Sequence, residues 1–143
     1  DGYADLIVGA TDYDAGEENE GAAYVFLGSA SGIGDGNPTT AHAQLESDDV
    51  NGSMGFGVSG AGDVNGDGLD DIIVGALATS FNAPSSGSAY VIFGRTTGFP
   101  SVLNLASVDG SNGFRLDGLS AIDLTGRSVA PAGDVNGDGL EDM

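Results

Sequence analysis

The chain has 143 residues, 40% of them hydrophobic, which is enough for one ordinary domain or a few repeat units with a buried core. Asp and Glu number 22 against three basic residues, and the resulting charge of −19 argues against nucleic acid and anionic membrane surfaces as partners but favours hard cations. The absence of Cys excludes disulfides, thiolate catalysis and zinc–thiolate sites, and no apolar run is long enough for membrane insertion.

The first part of the chain contains three predicted strands. It opens on DGYAD, which reads like the second half of an acidic string found later in the chain. ADLIVGA at 4–10, AYVFLG at 23–28 and AHAQLES at 41–47 follow. The first two are short apolar runs, rich in β-branched and aromatic residues and bounded by polar turn residues, which is the pattern of β-strands.

The second part repeats this order more completely. GFGVSGAG at 55–62 and DIIVGA at 71–76 flank the acidic string, and AYVIFG at 89–94 and NGFRLDG at 112–118 follow. NGFRLDG alternates apolar and polar residues, which predicts an outer strand, and AHAQLES takes its place in the first part. No segment shows a helical apolar stripe, and 26 glycines also argue against helices.

The two parts are copies of one unit. DIIVGA and AYVIFG match LIVGA and AYVFLG in the same register, and GVSGAGDVNGDGLDD at 57–71 returns as SVAPAGDVNGDGLED at 128–142. The unit is therefore about 66 to 71 residues long. Four short antiparallel strands per unit predict an all-β fold of β-propeller blades, about two in number and incomplete. We expect a partial first blade at 1–54, a complete second blade at 55–125, and the first strand and loop of a third blade at 126–143.

The acidic string GDVNGDGLDD spaces oxygen ligands along a single loop. Counted from Asp63, side-chain oxygens fall at positions 1, 3 and 5, a backbone carbonyl at position 7 and a carboxylate at position 9. We expect these groups to converge on Ca²⁺, which takes six to eight oxygen ligands. The predicted ligands are Asp63, Asn65, Asp67, Leu69 and Asp71. Mg²⁺ is disfavoured, because it tolerates irregular cages poorly.

Two further copies of the string predict further cation sites. The copy at the end of the chain supplies a complete second set, namely Asp134, Asn136, Asp138, Leu140 and Asp142. The copy at the start is half a set, in which Asp1, Tyr3 and Asp5 match positions 5, 7 and 9.

The sequence of the acidic string also allows other interpretations. Asp, Asn and Gly also make good turns without a metal. An EF-hand loop begins with the same pattern but needs an acidic residue at position 12 and a following helix, whereas position 12 here is Val74 within a predicted strand. The carboxylates could in principle serve acid–base catalysis, but the most conspicuous ones lie in the predicted calcium loops, so we expect no enzyme.

The pattern of Phe56-Gly57, then GDVNGDGLDD, then IIVGA, then GSAYVIFG resembles the FG-GAP repeat of the integrin alpha-subunit β-propeller and its bacterial relatives. The resemblance implies that the acidic loop joins the first two strands of each blade and holds Ca²⁺ through the residues named above. It also implies a propeller of more blades than this chain contains. We therefore expect either the remaining blades of a longer chain or a head-to-tail homo-oligomer.

The function implied by this resemblance is an extracellular, secreted or cell-surface adhesion module that binds a protein or glycan. Extracellular calcium modules bind at about 10⁻⁴ to 10⁻³ M, which suits the calcium level outside the cell. The alternative is a non-catalytic propeller portion of a secreted hydrolase, as in phospholipase-like relatives of the family. The long stretches 11–21 and 77–87 are where partner contacts are expected, because loops carry function on rigid scaffolds.

Overall fold

A computed structural model describes residues 2–143, and in these residues eight β-strands form two four-stranded sheets. The strands are β1 (Leu6–Ala10), β2 (Ala22–Phe26), β3 (Ala43–Glu46), β4 (Met54–Gly62), β5 (Asp71–Ala76), β6 (Ser88–Ile92), β7 (Val102–Asn104) and β8 (Gly113–Asp117). Short 3₁₀ turns lie at Pro38–Thr40 and Leu105–Ser107. The all-β architecture of incomplete propeller blades is confirmed.

The second sheet has the strand order β4-β5-β6-β8, and every neighbouring pair is antiparallel. This is the predicted four-stranded blade, with β8 as its outer strand. β5 and β6 are buried along nearly their whole length, which explains why their sequences are continuous apolar runs rather than alternating ones.

The first sheet has the order β1-β2-β3-β7, and its last strand was not predicted. β7 pairs parallel to β3 although it lies in the range expected for the second blade. Leu103 and Leu105 enter the core there, so a short segment of the second unit closes the outer edge of the first sheet. Residues 126–133 form no strand in the described chain, where Gly133 makes only an isolated bridge to Asp142.

The two sheets pack face to face around one apolar core. Ala23, Val25, Ala43 and Leu45 of the first sheet meet residues of the second sheet. The buried residues that the second sheet contributes to this cluster are Met54, Val74, Ala76, Tyr90 and Ile92. One side of the apolar strands of each unit is therefore buried against the neighbouring unit. On the other side of the second sheet, Ile73, Ala89 and Val91 form a second cluster with Phe93 and Phe114 of their own unit.

Glycine pairs allow the backbones of successive units to touch. A methyl group on Gly9 would collide with the backbone of Gly55, and one on Gly75 would collide with the backbone of Gly126. Gly55 and Gly126 also have a φ of +84°, which side-chain-bearing residues rarely adopt. The same joint therefore connects the first unit to the second and the second to the segment that follows it.

Candidate functional site

The loop between β4 and β5 is organised around the carboxylate of Asp63. Its Oδ1 accepts hydrogen bonds from the backbone amides of Gly66 at 2.8 Å and Asp67 at 3.1 Å. Its Oδ2 accepts from the amide of Gly68 at 2.8 Å. Gly66 and Gly68 have positive φ, which turns successive amides towards the carboxylate. The glycines of the acidic string thus fold the loop around its first acidic residue.

The next two side chains of the loop are held in the same manner. Asn65 Oδ1 accepts from the amide of Asp67 at 2.8 Å, and Asp67 Oδ1 accepts from the amide of Leu69 at 2.9 Å. The Asn65 side-chain amide donates to Asp67 Oδ2 at 3.0 Å. These bonds fix both side chains even though both residues are exposed.

Asp71 closes the loop from the first residue of β5 and is completely buried. Its Oδ2 accepts from the amide of Val64 at 3.0 Å, and its Oδ1 accepts from the amide of Gly94 at 2.8 Å. Burial raises the pKa of Asp71 above its ordinary value, although both amide bonds act in the opposite direction. A cation beside this carboxylate would favour its ionised form.

These hydrogen bonds leave capacity for a cation. An ionised carboxylate offers about four lone-pair positions on its two oxygens, and an amide oxygen offers two. Asp63 Oδ2, Asn65 Oδ1, Asp67 Oδ1 and both oxygens of Asp71 each accept one backbone amide. Each can therefore accept a further bond, and carboxylate and amide oxygens are the type of donor that Ca²⁺ prefers.

The loop at residues 134–142 repeats the bonds made within the loop, whereas the described residues contain no counterpart of the bond from Gly94 to Asp71. Asp134 accepts from the amides of Gly137, Asp138 and Gly139 at 2.7, 3.1 and 2.8 Å. The amide of Gly139, as the largest contribution, lowers the pKa of Asp134 below its ordinary value. Asn136, Asp138 and Leu140 repeat the bonds of Asn65, Asp67 and Leu69, and the amide of Val135 donates to Asp142 at 2.9 Å.

The two complete loops touch each other. The amide of Glu141 donates to the backbone oxygen of Asp63 at 3.2 Å. The side chain of Leu140 lies over Gly66, where an added methyl would come within 3.1 Å of it. Because of these contacts, ordering one loop should also help to order the other.

The half set at the start of the chain keeps one part of the pattern. Asp5 Oδ1 accepts from the amide of Gly28 at 2.8 Å, as Asp71 does from Gly94. Asp5 and Tyr3 are both exposed. Asp1 lies outside the described residues. In both units, therefore, the last acidic residue of the acidic string accepts a hydrogen bond from the glycine that ends AYVFLG or AYVIFG.

The amides of Gly28 and Gly94 were missed by the sequence reasoning. The glycine that ends AYVFLG and AYVIFG in both copies was a signal that could have shown them. A Cβ on either glycine would crowd the backbone of the residue before the acidic partner, Ala4 or Asp70. The acidic loop is therefore fastened to the third strand of its sheet as well as to the two strands that it joins.

In residues 2–143, no three acidic or histidine side chains are grouped closely enough to hold a metal ion as they stand. The structure brings Asp63, Asp67 and Asp71 into one amide-bonded loop, and it does the same for the second set. Both sets of loop residues remain predicted ligands. No helix in the described part of the chain is long and apolar enough to cross a membrane.

Comparison with known proteins places these repeats in a family. The FG-GAP repeat family matches residues 1–26 and 54–92. Integrin alpha pat-2 of Caenorhabditis briggsae is 41% identical over 76 residues, and integrin alpha pat-2 of Caenorhabditis elegans is 41% identical over 83 residues. In both cases the match covers 53% of this chain and 6% of the relative, so the chain corresponds to a small part of those proteins.

Proposed function

Because the chain is an integrin-alpha-like FG-GAP repeat protein, we propose that it is a calcium-stabilised β-propeller interaction module. In this proposal the loops at 63–71 and 134–142 each bind Ca²⁺, and the module acts outside the cell in adhesion to a protein or glycan. It is non-catalytic, since the proposed role of its most conspicuous carboxylates is to hold the cation.

One observation carries the proposal, namely the duplicated loop in which backbone amides hold the side-chain oxygens of the predicted ligands. Asp63 and Asp134 accept hydrogen bonds from the same three backbone amides of their own loops. Without a cation, several carboxylates in one short loop repel each other. Bound Ca²⁺ would neutralise that repulsion and join the two strands on either side of each loop.

Net charge and calcium level support a role outside the cell. A charge of −19 on 143 residues destabilises a compact state through self-repulsion, and bound divalent cations reduce it. Extracellular calcium modules bind at about 10⁻⁴ to 10⁻³ M, and sites of that affinity fill only where calcium is abundant. The relatives that bear the name integrin alpha favour the same location.

The surface proposed for partner contacts lies at the other end of the strands. β5 begins at the acidic loop and ends at the loop 77–87, and the loop 11–21 follows β1 in the same way. Tyr13 and Phe81 are exposed aromatic side chains on these loops. Aromatic residues are enriched at protein–protein interfaces, so these two loops are the proposed binding end.

Calorimetric titration with Ca²⁺ tests the cation proposal. Asp67→Ala removes a predicted ligand, and Asp70→Ala is the matched control, because Asp70 is an exposed neighbour outside the alternating ligand pattern. We expect the parent chain and Asp70→Ala to bind Ca²⁺ equally, and Asp67→Ala to lose one site. Equal binding by Asp67→Ala and the parent would refute the assignment of this loop.

A further inference from the structure

The loop at residues 118–125 presents two large apolar side chains to solvent. Leu119 is 79% exposed and Ile122 is 72% exposed. Neither belongs to a core cluster of the described residues. Single exposed apolar residues are common on protein surfaces, but two on one short loop form the start of an apolar patch, which is typical of an interaction site.

Ile122 also has a backbone conformation that is unfavourable for isoleucine. Its φ is +66°, in the left-handed region that β-branched residues rarely adopt, because Cβ crowds the backbone there. The corresponding residue of the first unit is Asn51, with a φ of +58°, and asparagine tolerates this region. The repeat therefore requires the left-handed turn but not an isoleucine in it. Strain retained at an exposed residue without a packing role points to a function for that residue.

The place of the loop between two units does not account for this exposure. The two apolar positions correspond to Asp48 and Asn51 of the first unit, 71 residues earlier. The second unit packs against that earlier loop, where the amide of Ala78 donates to the oxygen of Gly52 at 3.0 Å. Asp48 and Asn51 are nevertheless exposed. The fold thus leaves both positions open to solvent beside a following unit, and the second unit has apolar residues in them.

Asp123 and a neighbouring loop hold the two side chains on an ordered backbone. Asp123 Oδ2 accepts hydrogen bonds from the amides of Leu119 at 3.1 Å and Ser120 at 2.7 Å. The amide of Ile122 donates to the oxygen of Pro84 in the neighbouring loop at 3.1 Å. Because the loop is already ordered, a partner that binds it loses little free energy to loop ordering.

Four loops at this end of the strands form one connected row. Backbone hydrogen bonds of 2.8 to 3.1 Å join each loop to the next, and they run from Asn51 to Glu18, from Ala78 to Gly52 and from Ile122 to Pro84. In this order, the loops are 11–21, 47–53, 77–87 and 118–125. The row has an apolar end, which consists of Leu119, Ile122 and the exposed Phe81.

The opposite end of the row is acidic. The loop 11–21 carries four exposed carboxylates and the loop 47–53 adds a fifth. None of these five forms an ion pair within residues 2–143, and the whole chain has three basic residues. The acidic end consists of Asp12, Asp14, Glu17, Glu18 and Asp48.

We propose that this row of loops binds a protein segment that combines apolar side chains with Lys or Arg. Its apolar side chains contact the apolar end, and its basic side chains face the acidic end. Charge complementarity argues for this partner, because unpaired carboxylates favour a basic segment and disfavour an anionic membrane surface. A glycan is disfavoured, since Leu119 and Ile122 offer it no hydrogen bond. The inference rests on the proposed interaction function and narrows it to one class of partner.

Peptide display tests the chemistry of the partner. Random peptides of about 12 residues are selected on the parent chain in Ca²⁺, and fluorescence anisotropy measures the affinity of the enriched peptides. We expect the enriched peptides to combine apolar residues with Lys or Arg. Enrichment of acidic or uncharged peptides, or of no peptide, would overturn the proposal.

Variants of the apolar end separate binding from folding. Ile122→Asn and Leu119→Asn should each bind the enriched peptides roughly tenfold more weakly, because each removes an apolar contact. Leu27→Asn is the control and should bind as the parent does, since Leu27 is an exposed leucine beyond the opposite end of β2. Ile122→Asn should also melt at a higher temperature than the parent, because asparagine relieves the strain. Equal peptide binding by Ile122→Asn and the parent, or a lower melting temperature, would overturn the proposal.

A charge variant and lipid vesicles test the rest of the surface. Neutralising Glu17 and Glu18 together as Glu17→Gln and Glu18→Gln should weaken peptide binding at low salt and make less difference at high salt. An unchanged affinity at low salt would refute the acidic end. Parent binding to phosphatidylcholine vesicles, with or without phosphatidylserine, that is lost in Ile122→Asn would instead identify a membrane surface and overturn the proposal.

Calcium titration of each variant keeps this inference separable from the proposed function. A chain that binds Ca²⁺ but enriches no basic apolar peptide would refute the inference and leave the calcium sites standing. Peptides that bind the parent and every variant equally would leave the interaction function standing and refute the surface assigned to it.

Discussion

Gly75→Ala should destabilise the chain strongly, because Gly75 lies at the joint between successive units. A methyl group there would lie 2.7 Å from the carbonyl carbon and 3.0 Å from the Cα of Gly126, and closer still to its carbonyl oxygen. These three nearest atoms all belong to the backbone, so no side chain can rotate away to make room. The two backbones would have to separate by more than about 1.5 Å to bring the carbonyl oxygen to an ordinary contact distance.

The loss of stability in Gly75→Ala follows from the effect of this backbone separation on the surrounding packing. A gap of about 0.5 to 1 Å forfeits a quarter to a half of the dispersion energy between the atoms it parts. Gly75 lies in β5 between Val74 and Ala76, both of which are fully buried in the main core. Adding a methyl to a packed interior costs about 1 to 3 kcal/mol, and a backbone collision belongs at or above the upper end, so we expect roughly 3 kcal/mol.

Urea unfolding monitored by circular dichroism measures this difference. Gly60→Ala is the matched control, because Gly60 lies in β4 with no atom within 4 Å of an added methyl and without a positive φ. Gly60→Ala should be neutral or slightly stabilising, since it lowers the entropy of the unfolded chain. If Gly75→Ala unfolds within about 0.5 kcal/mol of the parent, the joint between units is not packed as described.

Three other substitutions test features away from the joint. Burial raises the pKa of Glu20 above 4.5, so the protonated form stabilises the folded chain at low pH, and this contribution is lost as pH rises through the raised pKa. In thermal melts, Glu20→Gln should therefore be more stable than the parent at neutral pH and equal to it below pH 4.5. Tyr24→Phe removes a buried hydroxyl that lies beside Tyr13; the stability of the chain should change by less than about 1 kcal/mol in urea unfolding, whereas a larger loss would show that the two tyrosines form a strong hydrogen bond. Arg115→Met removes the 2.7 Å ion pair with Asp117 and the stacking at 3.6 Å on Phe81; a cost of about 1 to 2 kcal/mol in chemical denaturation is expected, and no change would show that both contacts are solvent-screened.

Most strands could be predicted from sequence because their signals are local. β5 and β6 are continuous apolar runs between polar turns, and their counterparts in the first unit repeat the pattern. β7 could not be predicted in this way, since Val102–Asn104 is only three residues long and pairs with β3 of the other unit. Such a pairing depends on how the units pack, which no local pattern specifies.

The structure of the acidic loops was likewise predicted only in part from the sequence. The spacing of Asp63, Asn65 and Asp67 predicted one folded loop with side-chain oxygens on it, and the structure shows such a loop held by amides. The bond from Gly94 to Asp71 joins residues far apart in sequence and was visible only as a repeated glycine. The burial of Glu20 was not predicted either, because it lies in a polar stretch with no apolar pattern around it.

Native mass spectrometry that counts bound ions tests the central claim most directly. In Ca²⁺ the parent chain should carry an ion at each complete loop, Asp67→Ala and Asp138→Ala should each carry one fewer, and the double variant should carry neither of these ions. Asp70→Ala should bind as the parent does. A parent chain without calcium, or a double variant that retains the full parental number of ions, would contradict the account of these loops as calcium sites.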